Sequence, residues 1–167
     1  MRLITNNDFT KGEFDKRLRF KTEPVERVTE ETVELCLSML RYMYRLDAVG
    51  LAANQVGLKL RICVIDPAWL LGKKMPIVLI NPQIVEHGEE LYDSPEGCLS
   101  LPDVTLHVPR FKDLLVHYIG LDGNKHSLEA KDGLFASIIQ HELDHLDGYL
   151  FTDRVDLEEK KINYREV

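Results

Sequence analysis

The chain has 167 residues, 44% of them hydrophobic and 29% charged, with a formal net charge of -7. This is an ordinary globular composition, and residues 1–167 read as a single domain with one core. The acidic balance argues against a nucleic-acid surface, no apolar run approaches the roughly 18 residues of a membrane-spanning helix, and residues 1–8 lack the apolar stretch of a secretory signal.

Residues 1–23 are polar and mixed in charge, and they read as an extended or loosely packed arm. From Val28 the pattern turns helical. Thr29 suits an N-cap, and Glu30 and Glu31 suit the positive end of a helix dipole. Val33, Cys36, Leu37, Leu40, Met43 and Tyr44 recur at helical spacing, which predicts a core-facing helix ending before Gly50. Residues 49–57 are dense in small residues, which lets backbones approach closely. Gln55 is the polar exception there, and taken alone it reads as a surface loop amide.

Residues 60–66, 76–80 and 83–87 read as strands, ended by Pro67, by Asn81-Pro82 and by Gly88. Residues 89–97 are acidic and turn-like. Cys98 follows in a constrained loop between Gly97 and Pro102. Residues 114–119 and 125–130 form a hairpin around the Asp122-Gly123 turn signal. The predicted fold is α+β, with mostly antiparallel sheets packed around a C-terminal metal-binding helix.

That helix carries Gln140-His141-Glu142-Leu143-Asp144-His145. Asp132 offers its N-cap and Gly148 its stop. Leu134, Phe135, Ile138, Ile139, Glu142 and Leu146 mark its buried face. His141 and His145, four apart, project from one side, so two imidazoles can share a metal ion while Glu142 reaches a water beside it. A catalytic site of this kind takes a third protein ligand. The position six residues after His145 is Phe151, which excludes a third histidine there. Glu158, Glu159 or Glu166 of the tail would make a peptidase-like site. Cys98 is the remaining candidate, although a free cysteine reads more simply as a small buried apolar group, as Cys36 and Cys63 do. The residues alone leave this choice open.

Three separated segments resemble the motifs of the peptide deformylase family, in order: Gly50-Leu51-Ala52-Ala53-Asn54-Gln55, Glu96-Gly97-Cys98-Leu99-Ser100, and Gln140 to Gly148. Asp15-Lys16-Arg17-Leu18-Arg19 is similar to a fourth, with lysine where the family has proline. The resemblance implies an amide hydrolase that removes the N-formyl group from the initiator methionine of nascent polypeptides and releases formate. It implies Cys98, His141 and His145 as ligands of one divalent ion, usually Fe2+, with Zn2+, Ni2+ or Co2+ also accommodated. It makes Glu142 the proton carrier between water and the departing amine. Gln55 and the Leu99 N–H become oxyanion donors, and Gly50 a contact for the substrate backbone. Val49, Leu134 and Ile138 would line the methionine pocket, or serve simply as core; Ser137 is more polar than that wall suggests.

Ala48 stands where the family has another glycine, and Thr105 where many relatives have an arginine near the peptide. The short tail argues against carrying ribosome docking over. The implied setting is the bacterial cytoplasm, or the host cytoplasm or organelle stroma for a viral or organellar chain, with no nucleic-acid or membrane partner. Two other readings remain: a peptidase using a tail glutamate, and an inactive binding module that kept the fold.

Overall fold

A computed structural model describes residues 1–5 and 16–155, and the backbone of 163–164. In chain order its main elements are α1 (Glu30–Arg45), β1 (Gly50–Ala52), β2 (Ile62–Ile65), β3 (Ile77–His87), β4 (Leu91–Cys98), β5 (Leu101–Phe111), β6 (Leu114–Ile119), β7 (Lys125–Ala130), α2 (Gly133–Asp147) and β8 (Asn163–Tyr164). Five strands form one sheet in the order β1-β2-β3-β6-β7, and β4, β5 and β8 form a second. Every pairing between these strands is antiparallel. The α+β expectation, with a C-terminal helix packed by antiparallel sheets, therefore holds.

Strand β2, second from one edge of the larger sheet, explains the layering. All four of its residues are buried, because both faces of the sheet are covered. Ile62 and Val64 pack with Cys36, Met39 and Met43 of α1. Cys63 and Ile65 pack on the other face with Ile139, Leu143 and Leu146 of α2. Each such side chain contributes about 1.5–3 kcal/mol of burial. Helix α2 also contacts β4 and β5. Cys98, Leu101, Leu106 and Val108 of that second sheet cluster with Leu18, Leu150 and Phe151.

Both helices begin and end where expected. The Thr29 hydroxyl accepts from the Thr32 N–H at the start of α1. The Asp132 carboxylate accepts from the Leu134 N–H at 3.0 Å at the start of α2. Gly148 stops α2 at φ 81°, and a Cβ there would lie 2.5 Å from the Arg19 carbonyl oxygen. No residue but glycine fits that turn. The faces differ in detail from expectation. In α1, Met39 and Met43 are fully buried, while Val33, Leu37 and Tyr44 are only partly so. In α2, Gln140, Asp144 and His145 are buried as well as the apolar stripe, whereas Leu134 is 39% exposed.

Three stretches depart further. The two strands expected on either side of Asn81-Pro82 are one strand, β3, with register shifts between Ile80 and Gln83 and between Ile84 and Glu86. Asn81 adopts φ 52°, and its side chain donates to the Val25 carbonyl while accepting the Val25 N–H. The irregular ladder absorbs a proline that a regular strand would reject. The acidic stretch 89–97 is not a turn; most of it is β4, paired along its length with β5. The N-terminal arm is not loose where it is described. The Ile4 N–H donates to Gln55 O, Leu18 is fully buried, and the N–H and hydroxyl of Thr22 both donate to Leu146 O. Asp15 lies outside the described residues.

Candidate metal centre

The capped helix α2 brings His141 and His145 together with ring centroids 4.9 Å apart. Cys98 arrives from the end of β4. Gly97 pairs with Thr105, but Cys98 pairs with Leu101, so the ladder shifts by several residues at the cysteine. Asp103, in β5 between Leu101 and the Thr105 that pairs with Gly97, takes φ 66°. Such an irregularity re-aims a side chain, and here the Cys98 sulfur ends 3.2 Å from His145 Nε2. One ligand atom from each of Cys98, His141 and His145 lies within 4.8 Å of the others. Among the described residues these three form a group able to hold a metal ion. Glu158, Glu159 and Glu166, the alternative third ligands, lie outside the described residues. Phe151, at the excluded position, is buried with its ring 5.8 Å from that of His141.

The surrounding charges fit a cation. Glu96 Oε2 lies 2.8 Å from His141 Nδ1, which fixes the proton on Nδ1 and leaves Nε2 free to ligate. Arg110 donates twice to Glu96, at 2.7 and 3.0 Å, and once to Asp144 at 2.6 Å. Arg154 donates twice to Asp144. Burial alone would raise Glu96, but Arg110 and His141 outweigh it and hold the carboxyl below its ordinary range. Burial likewise opposes a charge on His141, yet Cys98 and Glu96 raise the imidazole well above its usual value. His145 is held well below its usual value by burial and by the neighbouring His141.

Glu142 reaches the same place from the next position on α2. Burial pushes its carboxyl up to about 7. Its Oε2 is a buried atom with no hydrogen-bond partner among the described residues. A buried carboxylate oxygen of that kind calls for a water or a cation. Gly50 makes the room, since a Cβ there would collide with the Glu142 carboxylate, reaching its Cδ at 2.8 Å.

Gln55 is not a surface amide; it is 2% exposed. Its Oε1 accepts from the Ala52 N–H at 2.9 Å, which turns its NH2 toward Ser100 Oγ at 3.1 Å and the Cys98 sulfur at 3.6 Å. A cavity of about 540 Å³ opens above, lined by Val49, Gly50, Gln55, Cys98, Leu99, Leu134, Ser137, Ile138, His141 and Glu142. His145 sits behind it, 1% exposed. The candidate ligands Cys98, His141 and His145, with Glu142, Gln55, Leu99, Gly50, Val49, Leu134 and Ile138, therefore gather in one place. Ala48 also lines the cavity, and the left-handed backbone falls on its neighbour Asp47, at φ 53°. Thr105 is exposed on β5.

Sequence reasoning missed Glu96, Arg110 and Asp144 as a supporting set. One signal was available. Val104, Leu106 and Val108 alternate inward on β5, and Arg110 continues that inward register with a charge. The other two cysteines behave as apolar groups. Burial pushes Cys36 up to about 11 and holds Cys63 well above its usual value.

Comparison with known proteins agrees with this geometry. A family model described as polypeptide deformylase matches residues 13–161. The chain is 43% identical over 141 residues to a peptide deformylase of Agrobacterium fabrum, covering 84% of this chain and 82% of that protein. It is similar to the crystal structure of a peptide deformylase from Synechococcus elongatus in complex with actinonin, with TM-score 0.84 and 39% identity over 94% of this chain and 81% of that one. A probable peptide deformylase from Synechococcus phage S-SSM7 superposes with TM-score 0.82 and 37% identity, covering 93% of this chain and 99% of the phage chain.

Proposed function

The chain belongs to the peptide deformylase family, and we propose how its own residues remove the formyl group from N-formylmethionyl peptides and release formate. Cys98, His141 and His145 hold one divalent ion. A sulfur and two imidazole nitrogens suit Fe2+, Zn2+, Ni2+ and Co2+, and we take Fe2+ as the working ion. When bound, the ion supplies Lewis acidity, making a water more acidic and drawing charge from a carbonyl oxygen.

The remaining work falls to the chain. Glu142 takes a proton from the attacking water at its carboxylate and gives it to the departing amine nitrogen. Its burial and its unpartnered Oε2 support that role. The Gln55 NH2, whose direction is set by the Ala52 N–H on its carbonyl, donates to the developing oxyanion without bringing a competing charge. The Leu99 N–H is the second donor. Gly50 clears the Glu142 carboxylate and lets the peptide backbone lie against the wall of the cavity. Val49, Leu134 and Ile138 receive the methionine side chain. The setting we propose is a compartment in which translation starts on formylmethionine, such as the bacterial cytoplasm.

The observation that carries this reading is the convergence of the Cys98, His141 and His145 ligand atoms within 4.8 Å, with Glu142 lining the same cavity. The test is anaerobic purification with metal analysis and formyl-Met-Ala hydrolysis on the same sample. Stoichiometric metal and formate release are expected. Glu142→Ala should keep the metal and lose about 10²–10⁴-fold in rate. Cys98→Ala should lose stoichiometric metal. Full activity in the first variant, or unchanged metal in the second, would overturn the assignment.

A further inference from the structure

His141 and His145 are held by different means. The Nδ1 of His141 meets a carboxylate, Glu96, at 2.8 Å. The Nδ1 of His145 is buried and has no partner among the described residues. A ligating imidazole ordinarily donates its outer N–H to something, since that contact fixes its tautomer and its orientation.

Three other buried polar atoms are likewise without a partner among the described residues, Asn54 Oδ1, Glu142 Oε2 and Thr152 Oγ1, and of these residues Asn54 is the one hydrogen-bonded to His145. The two residues touch, because Asn54 Nδ2 donates to the main-chain carbonyl of His145. Asn54 is fully buried and His145 is 1% exposed, so bulk solvent reaches neither. The atoms are complementary. With Nε2, the nitrogen that faces the Cys98 sulfur at 3.2 Å, ligating the ion, Nδ1 of the neutral ring carries the proton and can only donate. The amide oxygen can only accept.

We propose that Asn54 and His145 share one buried water, which accepts the Nδ1–H of His145 and donates to Asn54 Oδ1, so that Asn54 is the positioning residue of the second imidazole. Waters that join two otherwise unmet buried polar groups are a normal part of protein interiors. The placement has a consequence for the site. Asn54 and Gln55 are neighbours in the short helical turn Ala53–Val56. One turn therefore orients an oxyanion donor with one residue and a metal ligand with the next. His141 is tied to the charged network of β4 and β5, and His145 to a neutral amide on the edge of the five-stranded sheet.

This proposal rests on His145 as a metal ligand. Its test uses the full chain loaded with Zn2+, which is diamagnetic, with 15N-labelled histidine. In the wild type the Nδ1–H protons of both His141 and His145 should resist exchange, and that of His145 should show a magnetisation-transfer contact to a bound water. In Asn54→Ala the His145 proton should exchange rapidly, with the His141 proton as an unchanged internal control. Zinc release to excess chelator should quicken by about 10–100-fold. A folded variant that keeps the His145 proton protected and releases zinc at the wild-type rate would overturn the role of Asn54. If the variant fails to fold, the wild type decides: no bound-water contact at His145 Nδ1–H overturns the proposal. A wild type that holds no zinc would instead overturn the ligand reading and take this proposal with it.

Discussion

The five-stranded sheet and the β4–β5 hairpin both press on α2, but they bury different kinds of side chain. The sheet presents Cys63, Ile65, Leu79, Leu114 and Val116 to Ile139, Leu143 and Leu146. The hairpin presents Glu96 and Arg110 to His141 and Asp144. Arg110 is 3% exposed and Glu96 7%. Buried ion networks of this kind are weak sources of net stability, because desolvation offsets most of the attraction. The apolar side of α2 stabilises the fold, and the charged side uses that stability to hold His141 in one orientation. The two histidines thus sit on a helix whose packing is divided between strength and aim.

The largest expected effect comes from breaking the charged side. Arg110→Met leaves Glu96 with His141 alone and Asp144 with Arg154 alone, both buried. The expected loss is about 3–5 kcal/mol in denaturant unfolding, the cost of removing one partner from a buried ion pair. Zinc release should also quicken, because the Glu96 carboxylate that orients His141 has lost its own anchor. Leu79→Ala on the other side should cost about 3 kcal/mol through the cavity it leaves. That variant should release zinc at the wild-type rate under conditions where it stays folded. Equal release rates in the two variants would erase the proposed division of labour.

The same division explains what was legible in the sequence. Helix α2 could be read from Asp132 to Gly148 because its caps, its apolar spacing and its two histidines all point to one structure. Strands β2 and β6 of the larger sheet showed as apolar runs because apolar contacts are what they make, whereas the mostly exposed β7 showed through its Asp122-Gly123 turn. β4 was hidden: its inward residues Ser94 and Glu96 are polar, so the alternation that marks a half-buried strand carried the wrong chemistry. Asn81-Pro82 hid the length of β3 for a related reason, since a bulge satisfies the backbone groups that a proline would otherwise disrupt. Gln55 and Cys98 took on their roles only through the family resemblance. Nothing in their local spacing distinguishes an oxyanion donor from a loop amide, or a ligand from a buried thiol.

The smallest effect expected lies at the far end of the larger sheet, where the hairpin of β6 and β7 carries an exposed counterpart of the buried network. Asp122 accepts from the Asn124 side chain at 2.9 Å and from the Asn124 N–H at 3.0 Å, and meets His126 Nε2 at 3.0 Å. The Asn124 amide, then His126, hold its carboxyl well below the usual range. A depressed carboxylate favours the fold at pH above its unfolded value, about 3.9, and that contribution disappears as pH falls through the lower folded value. Asn124→Ala removes the largest contributor, so the Asp122 carboxyl should titrate nearer its ordinary value when followed by NMR. Because the group is fully exposed, water can replace what the variant loses, and zinc release at neutral pH should not change. Arg110 is buried and has no such replacement, so removing a donor to a carboxylate should be silent on β6–β7 and costly beside α2. An unshifted Asp122 titration in Asn124→Ala would mean that the turn geometry, and not these contacts, sets the carboxyl, and the contrast between exposed and buried networks would lose its exposed half.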